Sequence, residues 1–341
     1  MHSLMKTITI GINMNDMKKI GLTALAGSLV AFSANAAEMS VSGATMLTYT
    51  SEDGTEVTGN PLGMKTNIAF TASGEVNGYT VSYMQVSADQ FAGMDSARLS
   101  VDMGDLGNLS LDQGSGSGLA TIDDKTPTAA EEIWDGLDST AAGRVGAAGN
   151  TGVVNYVNTF SGVTLNAAMR KGSGTALADG ASSAAGQSAW DFALTTDGSS
   201  MGVDGLAIGL GYGEAETGSE TGTTYGDAEH MTAFANYSIG PVTFGYQMSY
   251  INSNVVGTDD NEVDAWGLAF NVNENLSLSY GERDVVYTDN AGDVTEKFDG
   301  IAVAYTMGSM KIAGNMNDVS DSGGAAGTND SMTEIAVSFA F

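Results

Sequence analysis

From Met39 to the last residue the chain repeats one local pattern: in segments of about ten residues, apolar side chains alternate with small or polar ones. Phe341, Phe339, Val337 and Ile335 fall on one face of the last segment, and Ala340, Ser338, Ala336 and Glu334 fall on the other. Val242, Phe244, Tyr246, Met248 and Tyr250 alternate in the same way with Thr243, Gly245, Gln247 and Ser249. Leu206, Ile208, Leu210 and Tyr212 alternate with Ala207, Gly209, Gly211 and Gly213. Period two means strands with one face against something apolar. A soluble sandwich gives the same period, so the connections have to decide.

Short links rich in Gly, Asn and Pro take turns with long acidic ones. The short ones are 74–78, 104–107, 161–162, 197–205, 240–241, 273–275 and 308–309; the long ones are 51–63, 89–93, 114–152, 172–187, 215–229, 253–263, 285–297 and 319–331. Seven short and eight long connections join sixteen strands. An even-numbered meander with tight turns at one end and long loops at the other has the layout of a transmembrane β-barrel. The expected fold class is therefore all-β, a 16-stranded antiparallel transmembrane β-barrel. Its strands run from 39–50 to 332–341. Strands of ~10 residues would use ~160 residues, and the rest fits the turns and loops. The three prolines, Pro61, Pro127 and Pro241, all lie in connections, as strands that must pair every N–H in lipid require. Tyr49, Phe70, Tyr79, Trp190, Tyr212, Tyr237, Trp266, Phe270, Tyr305, Phe339 and Phe341 sit near strand ends, as interfacial girdles do.

The third long connection, 114–152, is oversized, and a run of that length without strand alternation is uncommon unless it has a job. Thr128-Ala129-Ala130-Glu131 reads as a capping box that opens a short helix, and Gly136 can close it. On that helix Ala130, Ile133, Trp134 and Leu137 would share an apolar side, and Glu131, Asp135 and Asp138 another. The segment would then lean its apolar back on a wall and present an acidic edge. The expectation is a loop folded into the barrel to narrow a pore.

Residues 1–36 read as processing sequence. Lys18 and Lys19 precede an apolar run from 20 to 32, and Ala34-Asn35-Ala36 is a small-residue cleavage site. Met17 is then the expected start, with residues 1–16 an upstream extension and residues 37–341 the barrel domain. Removing 1–36 takes one acid and three bases, leaving forty acids against nine bases and a formal charge of about −31. Such a surface repels nucleic acid and attracts cations. The sequence has no cysteine, and His230 is the one histidine of the mature chain, which excludes zinc sites built on those ligands. Nucleophilic catalysis would rest on His230 alone, without a G-x-S-x-G elbow. Beside Glu229 at a loop-to-strand junction, His230 reads as a solvated rim residue, and the chain reads as a non-enzyme.

With its leader sequence, sixteen-strand meander, oversized third loop and closing strand Ile335-Ala336-Val337-Ser338-Phe339-Ala340-Phe341, the chain resembles the general porins of Gram-negative outer membranes. That resemblance implies an outer-membrane location, a homotrimer, a third loop that constricts the lumen, and a terminal Phe read by the insertion machinery. It lacks the Pro-Glu-Phe-Gly-Gly run of many enteric members and looks more like those with a long acidic third loop.

By strand parity Lys65, Arg98, Arg170 and Arg283 point inward. The expected constriction sets Lys65, Arg98 and Arg170 against Asp123, Asp124, Glu131, Glu132, Asp135 and Asp138. The expected function is passive diffusion of small polar solutes and ions with a cation preference, the partners being the lipid bilayer, lipopolysaccharide and further copies of the chain. No cofactor is required; calcium could bind the oxygen ligands of Asp259, Asp260 and Glu262, although these match no defined calcium loop. The competing readings are a calcium-binding structural or surface β-protein, a substrate-selective channel, and a barrel hydrolase that uses His230.

Overall fold

The structure, a computed structural model, describes residues 38–341 apart from 55–56, 90–92, 138–142, 150, 173–187, 218–225, 256–257, 259 and 289–293. The processing sequence therefore lies outside the described residues, as do Asp138 and Asp259.

Sixteen strands form one closed antiparallel barrel in which every strand pairs with its neighbours in sequence. They are β1 (Glu38–Asp53), β2 (Leu62–Val76), β3 (Tyr79–Ser87), β4 (Met94–Asp102), β5 (Asn108–Gln113), β6 (Thr151–Phe160), β7 (Val163–Arg170) and β8 (Ala189–Asp197). The second half has β9 (Leu206–Ala215), β10 (Ala228–Ile239), β11 (Val242–Asn252), β12 (Asn261–Asn271), β13 (Leu276–Tyr287), β14 (Glu296–Met307), β15 (Met310–Ser320) and β16 (Asp330–Ala340). The ring closes where β1 pairs with β16, from Ala44↔Ala340 to Asp53↔Ser331. Beyond that ladder, Gly43 and Phe341 exchange both backbone hydrogen bonds, at 2.8 and 2.9 Å. The tight turns use Asn77-Gly78 and Ser161-Gly162 with both central residues at positive φ, the backbone twist that matches a right-twisted hairpin.

Alternation sorts the side chains onto two faces. On the apolar face Leu210 is 52 % exposed, Met248 54 % and Ile335 54 %, and the pattern recurs on strand after strand. Large aliphatic side chains left outward all round a closed wall have one stable surrounding, hydrocarbon. Aromatic groups gather on this face: Trp190 stacks with Phe192 and touches Tyr212, and Trp266 stacks with Phe244 and meets Tyr280 edge-on. No helix among the described residues is long and apolar enough to cross a membrane.

The opposite, polar face carries the buried polar groups of the wall, among them Asn155, Asp191, Thr232, Gln247, Ser279, Asn317 and Glu334. Three clusters of buried apolar residues lie on this face. In each, residues flanked by β5 and β6 meet wall residues: Trp134 and Leu137 on Val263, Val285, Phe298, Val319 and Met332; Leu119, Ile122 and Val145 on Ala193 and Phe234; Ala148 beside Val153 and Ala168.

Candidate functional site

The segment between β5 and β6 is held by side chains of the polar face acting on its backbone. Its outgoing arm starts where Asp112, fully buried, takes the Ser115 N–H at 3.0 Å and the Ser117 hydroxyl at 2.7 Å. The Gly118 N–H donates to Asn155 and Asn166, and a short 3-10 turn follows over Gly118–Ile122. Asp191 on β8, 2 % exposed, then joins both arms: one oxygen accepts from Leu119 N–H at 3.0 Å and the other from Ala148 N–H at 2.8 Å. Farther along, Gln247 takes the Lys125 N–H at 2.7 Å and donates to the Ile122 carbonyl at 2.8 Å. Ser279 takes the Ala129 N–H at 2.8 Å.

A trough in the wall receives this run. Gly245, Gly267, Gly281 and Gly300 are successive cross-strand partners on β11, β12, β13 and β14, so one row of the wall lacks side chains. Asparagine stands at each end of the row, because Gly245 pairs with Asn236 and Gly300 with Asn317. Asn236 donates to the Lys125 carbonyl at 2.7 Å; Asn317 donates to the carbonyls of Glu132 at 3.2 Å and Asp135 at 2.9 Å. Pro127 and Ile133 fill the trough. A Cβ at Gly245 would lie 2.3 Å from the Pro127 Cδ, one at Gly267 2.7 Å from the Pro127 carbonyl oxygen, and one at Gly300 2.9 Å from Ile133.

This grip corrects the helix expected at 128–136. Those residues make only isolated turns, Asp135 N–H to Glu132 carbonyl and Leu137 N–H to Trp134 carbonyl. The Thr128 hydroxyl donates to the Glu131 carbonyl and accepts from Ala130 N–H, while Ser279 and Asn317 take the Ala129 N–H and the Glu132 and Asp135 carbonyls. A helix needs those backbone groups for itself, and the wall has engaged them. The apolar back nevertheless forms: Trp134 and Leu137 are buried on the wall with Ile133 beside them. Arg283, 3 % exposed, lies 5.0 Å over the Trp134 ring and 5.2 Å over Phe298.

His230 is likewise not a solvated rim group. It is half-buried, and its Nδ1 accepts from the Gly146 N–H at 3.3 Å on the returning arm.

The charged residues singled out by sequence fall into separate groups. Asp123 pairs with Arg144 at 3.1 Å; burial raises its carboxyl above the usual range, and Arg144 offsets part of that. Burial, followed by the neighbouring Glu132 charge, pushes Asp124 up to about 7. The neighbouring Asp135 carboxyl, with burial behind it, pushes Glu131 up to about 8. Lys65 on β2 and Glu334 on β16 lie within electrostatic range of Glu131, Lys65 favouring its charge and Glu334 opposing it. Two of the expected cations stand at the roots of the segment instead. Arg98 is 3.4 Å from Asp112 and donates to the Gly116 carbonyl, and Arg170 packs against Gly149. Asp260 accepts from Ser253 N–H at 2.8 Å and from Tyr250 OH, and Glu262 lies on β12. Among the described residues no three carboxylate or imidazole groups are placed to hold a metal ion.

Sequence reasoning missed the residues that hold the segment: Asn155, Asn166, Asp191, Asn236, Gln247, Ser279 and Asn317. The signal was there, since each is a hydrogen-bonding side chain at polar-face parity on an alternating strand. Lys311, which shares a row with Ser338, Met46 and Lys65, was also missed.

Comparison with curated proteins finds no match. Solved structures share the architecture. The loop-deletion mutant of OmpT, an outer membrane protein of Vibrio cholerae, superposes with a TM-score of 0.63 at 16% identity, over 90% of this chain and 100% of that one. The anion-selective porin from Comamonas acidovorans gives 0.63 at 12% identity, over 89% and 100%. A mutant of the Rh. blastica porin gives 0.59 at 15%, over 89% and 100%. At these identities the likeness is one of fold. Residues 21–341 match the family profile described as Gram-negative porin. A match of that extent takes in every strand of the barrel, and by it the chain belongs to the Gram-negative porin family, channels of the bacterial outer membrane.

Proposed function

We propose that residues 114–152 fold into the lumen and set its narrowest cross-section, and that small hydrophilic solutes and ions diffuse passively through the gap with a preference for cations. The observation that carries this reading is the row of backbone hydrogen bonds from Asp191, Gln247, Ser279 and Asn317, on β8, β11, β13 and β15, to one continuous segment. A loop waving beyond the rim could not meet polar-face residues on strands so far apart around the ring. Sixteen strands enclose a water-filled space, and what passes is decided where that space is tightest.

The hydrogen bonds described leave the polar face of β1 to β3 uncovered. Passage then runs between that face, with exposed Lys65 and Asn67, and the segment edge that bears Glu131, Glu132 and Asp135. Lys65 facing Glu131 puts a field across the gap that orients dipolar solutes. Cation preference follows from forty acids against nine bases, and from the engagement of Arg98, Arg170 and Arg283 at the wall. The Comamonas relative is described as anion-selective; shared fold and opposite selectivity are compatible, because charge placement is independent of the strand pattern.

Reversal potentials of the purified protein in planar bilayers under a salt gradient test the proposal. A cation-selective potential supports it, an anion-selective one overturns the preference, and absence of conductance overturns the channel itself. A homotrimer is expected alongside, seen as a band that resists SDS until heated.

A further inference from the structure

The connection between β15 and β16, residues 321–329, joins two adjacent strands, yet it does not stay above them. It turns inward and reaches back to β14 and β13. Glu296 opens β14 at the parity of Phe298 and Gly300, and Tyr287 ends β13 at the parity of Arg283 and Val285, so both belong to the polar face. Glu296 is fully buried. One of its oxygens accepts from the Gly323 N–H at 2.9 Å, the other from the Tyr287 hydroxyl at 2.8 Å. Gly324 is buried next to it at φ +73°, where a Cβ would lie 2.8 Å from the Tyr287 ring, and its carbonyl accepts from the Val294 N–H at 3.1 Å. We propose that residues 321–329 form a second inward element, latched by Glu296, that limits the size of the solutes reaching the constriction without acting on their charge. The inference rests on the reading above, in that solutes pass through the barrel and meet the segment 114–152.

The latch follows from burial. A carboxylate leaves water only where donors replace it, and the turn supplies one of the two donors that Glu296 receives. Arg283 adds positive charge on the same face, diagonal to Glu296 across a ladder in which Val285 pairs with Glu296 and Arg283 with Phe298. The turn also holds its own shape: Ser322 N–H donates to the Thr328 carbonyl at 2.8 Å, and the Asp321 carboxylate accepts from Gly327 N–H at 2.6 Å. Its far leg is pinned to the connection after β1, where a Cβ at Gly54 would lie 2.6 Å from the Asn329 carbonyl oxygen. Position gives the turn its role. Tyr287 packs on the cluster of Val285, Phe298, Val319 and Met332 that receives Trp134 and Leu137, so the turn stands over the anchorage of the segment on the side of the long connections. A solute entering from that end meets the turn before the segment. Composition decides what is sensed. From Ser322 to Asn329 there is no ionisable side chain, and the exposed tip is Ala325, Ala326 and Gly327. Such a tip adds bulk to the mouth but no field.

Swelling of liposomes that contain the purified protein, with uncharged sugars of increasing length, tests the proposal, and reversal potentials are read on the same proteins. Glu296→Ala removes both acceptors and is expected to raise the rate for a trisaccharide relative to a monosaccharide roughly threefold. Glu296→Gln should behave as wild type, because its amide still accepts from the Gly323 N–H and can donate to the Tyr287 oxygen. Deleting residues 323–327 should match the alanine variant in sugar rates, and should leave the reversal potential unchanged because no charge is removed. Sugar rates unchanged in Glu296→Ala overturn the inference and leave the constriction reading standing. A glutamine variant as permissive as the alanine one overturns the hydrogen-bonded latch, and a deletion that shifts ion preference overturns the indifference to charge. Should these variants fail to assemble, Ala326→Cys decides, since the sequence has no cysteine of its own. A bulky maleimide on that thiol should slow the trisaccharide more than the monosaccharide; equal rates before and after labelling overturn the proposal. A wild type that passes no solute overturns the channel reading and this inference with it.

Discussion

The polar faces of β1 to β3 and of β8 to β15 obey the same alternation, yet they are made for different contacts. The β8–β15 face has a row of four glycines, flanking asparagines, and amide, hydroxyl and carboxylate groups that all bind the backbone of one segment. The β1–β3 face instead presents Ser42, Lys65 and Asn67 exposed, with no glycine row beneath a packed chain. Side-chain size separates a seat from a lining: glycine makes room for another stretch of protein, whereas longer polar groups leave room only for water and solutes. The apolar faces of both regions look alike, because both meet the same hydrocarbon.

Filling the seat should have the largest effect. Gly245→Val with Gly267→Val places side chains where Pro127 lies, so the segment should leave its trough and single-channel conductance should rise roughly twofold or more. The same pair of valines at polar-face positions of β1 to β3 should do far less; equal effects would abolish the distinction between the regions. Next is Asp191→Ala, which strands the N–H groups of Leu119 and Ala148 at about 1–3 kcal/mol each. Thermal unfolding should shift downward, and amide exchange at those two residues should accelerate first. On the lining side, Lys65→Gln should raise cation selectivity roughly twofold with little change in unfolding temperature, since the group is exposed. Stability against pH gives a fourth comparison. Asp124 and Glu131 bind a proton more tightly in the folded protein than when free, so their contribution is present in full below about pH 4. It is lost as the pH rises through about 7 and 8, loosening the segment and not the β1–β3 wall. Proteolysis of the segment at high and low pH reads this directly; faster cleavage in acid would contradict it. The smallest effect belongs to His230→Leu, which removes one long hydrogen bond and should cost at most about 1 kcal/mol, visible as faster exchange at Gly146.

How far each region could be read from sequence follows the same division. The strands were legible because the apolar face depends on lipid alone and needs no knowledge of what lies across the barrel. The last strand, with Ile335, Val337 and Phe339 on one side, declares itself locally. Trp134 and Leu137 were legible as a buried edge for the same reason. The helix at 128–136 was not, because the groups that prevent it, Ser279 and Asn317, lie more than a hundred residues away. In sequence Gly209, Gly211 and Gly213 are only the small members of an alternating strand, yet a Cβ at Gly211 would lie 2.3 Å from Leu119. Local propensity reports what a stretch prefers alone, and here tertiary partners decide.

The closing seam has a consequence for biogenesis. Thr50 donates to Glu334 across 284 positions of sequence, and the Gly43–Phe341 exchange spans still more. A chain delivered from its amino end holds β1 as a bare edge throughout synthesis, a template on which any other strand can add. Its proper partner is the last to arrive, so zippering cannot begin at that edge and finish early. Until β16 docks, that edge stays open to any other strand, so shortening β16 by a few residues should leave molecules that clump instead of ones that leak.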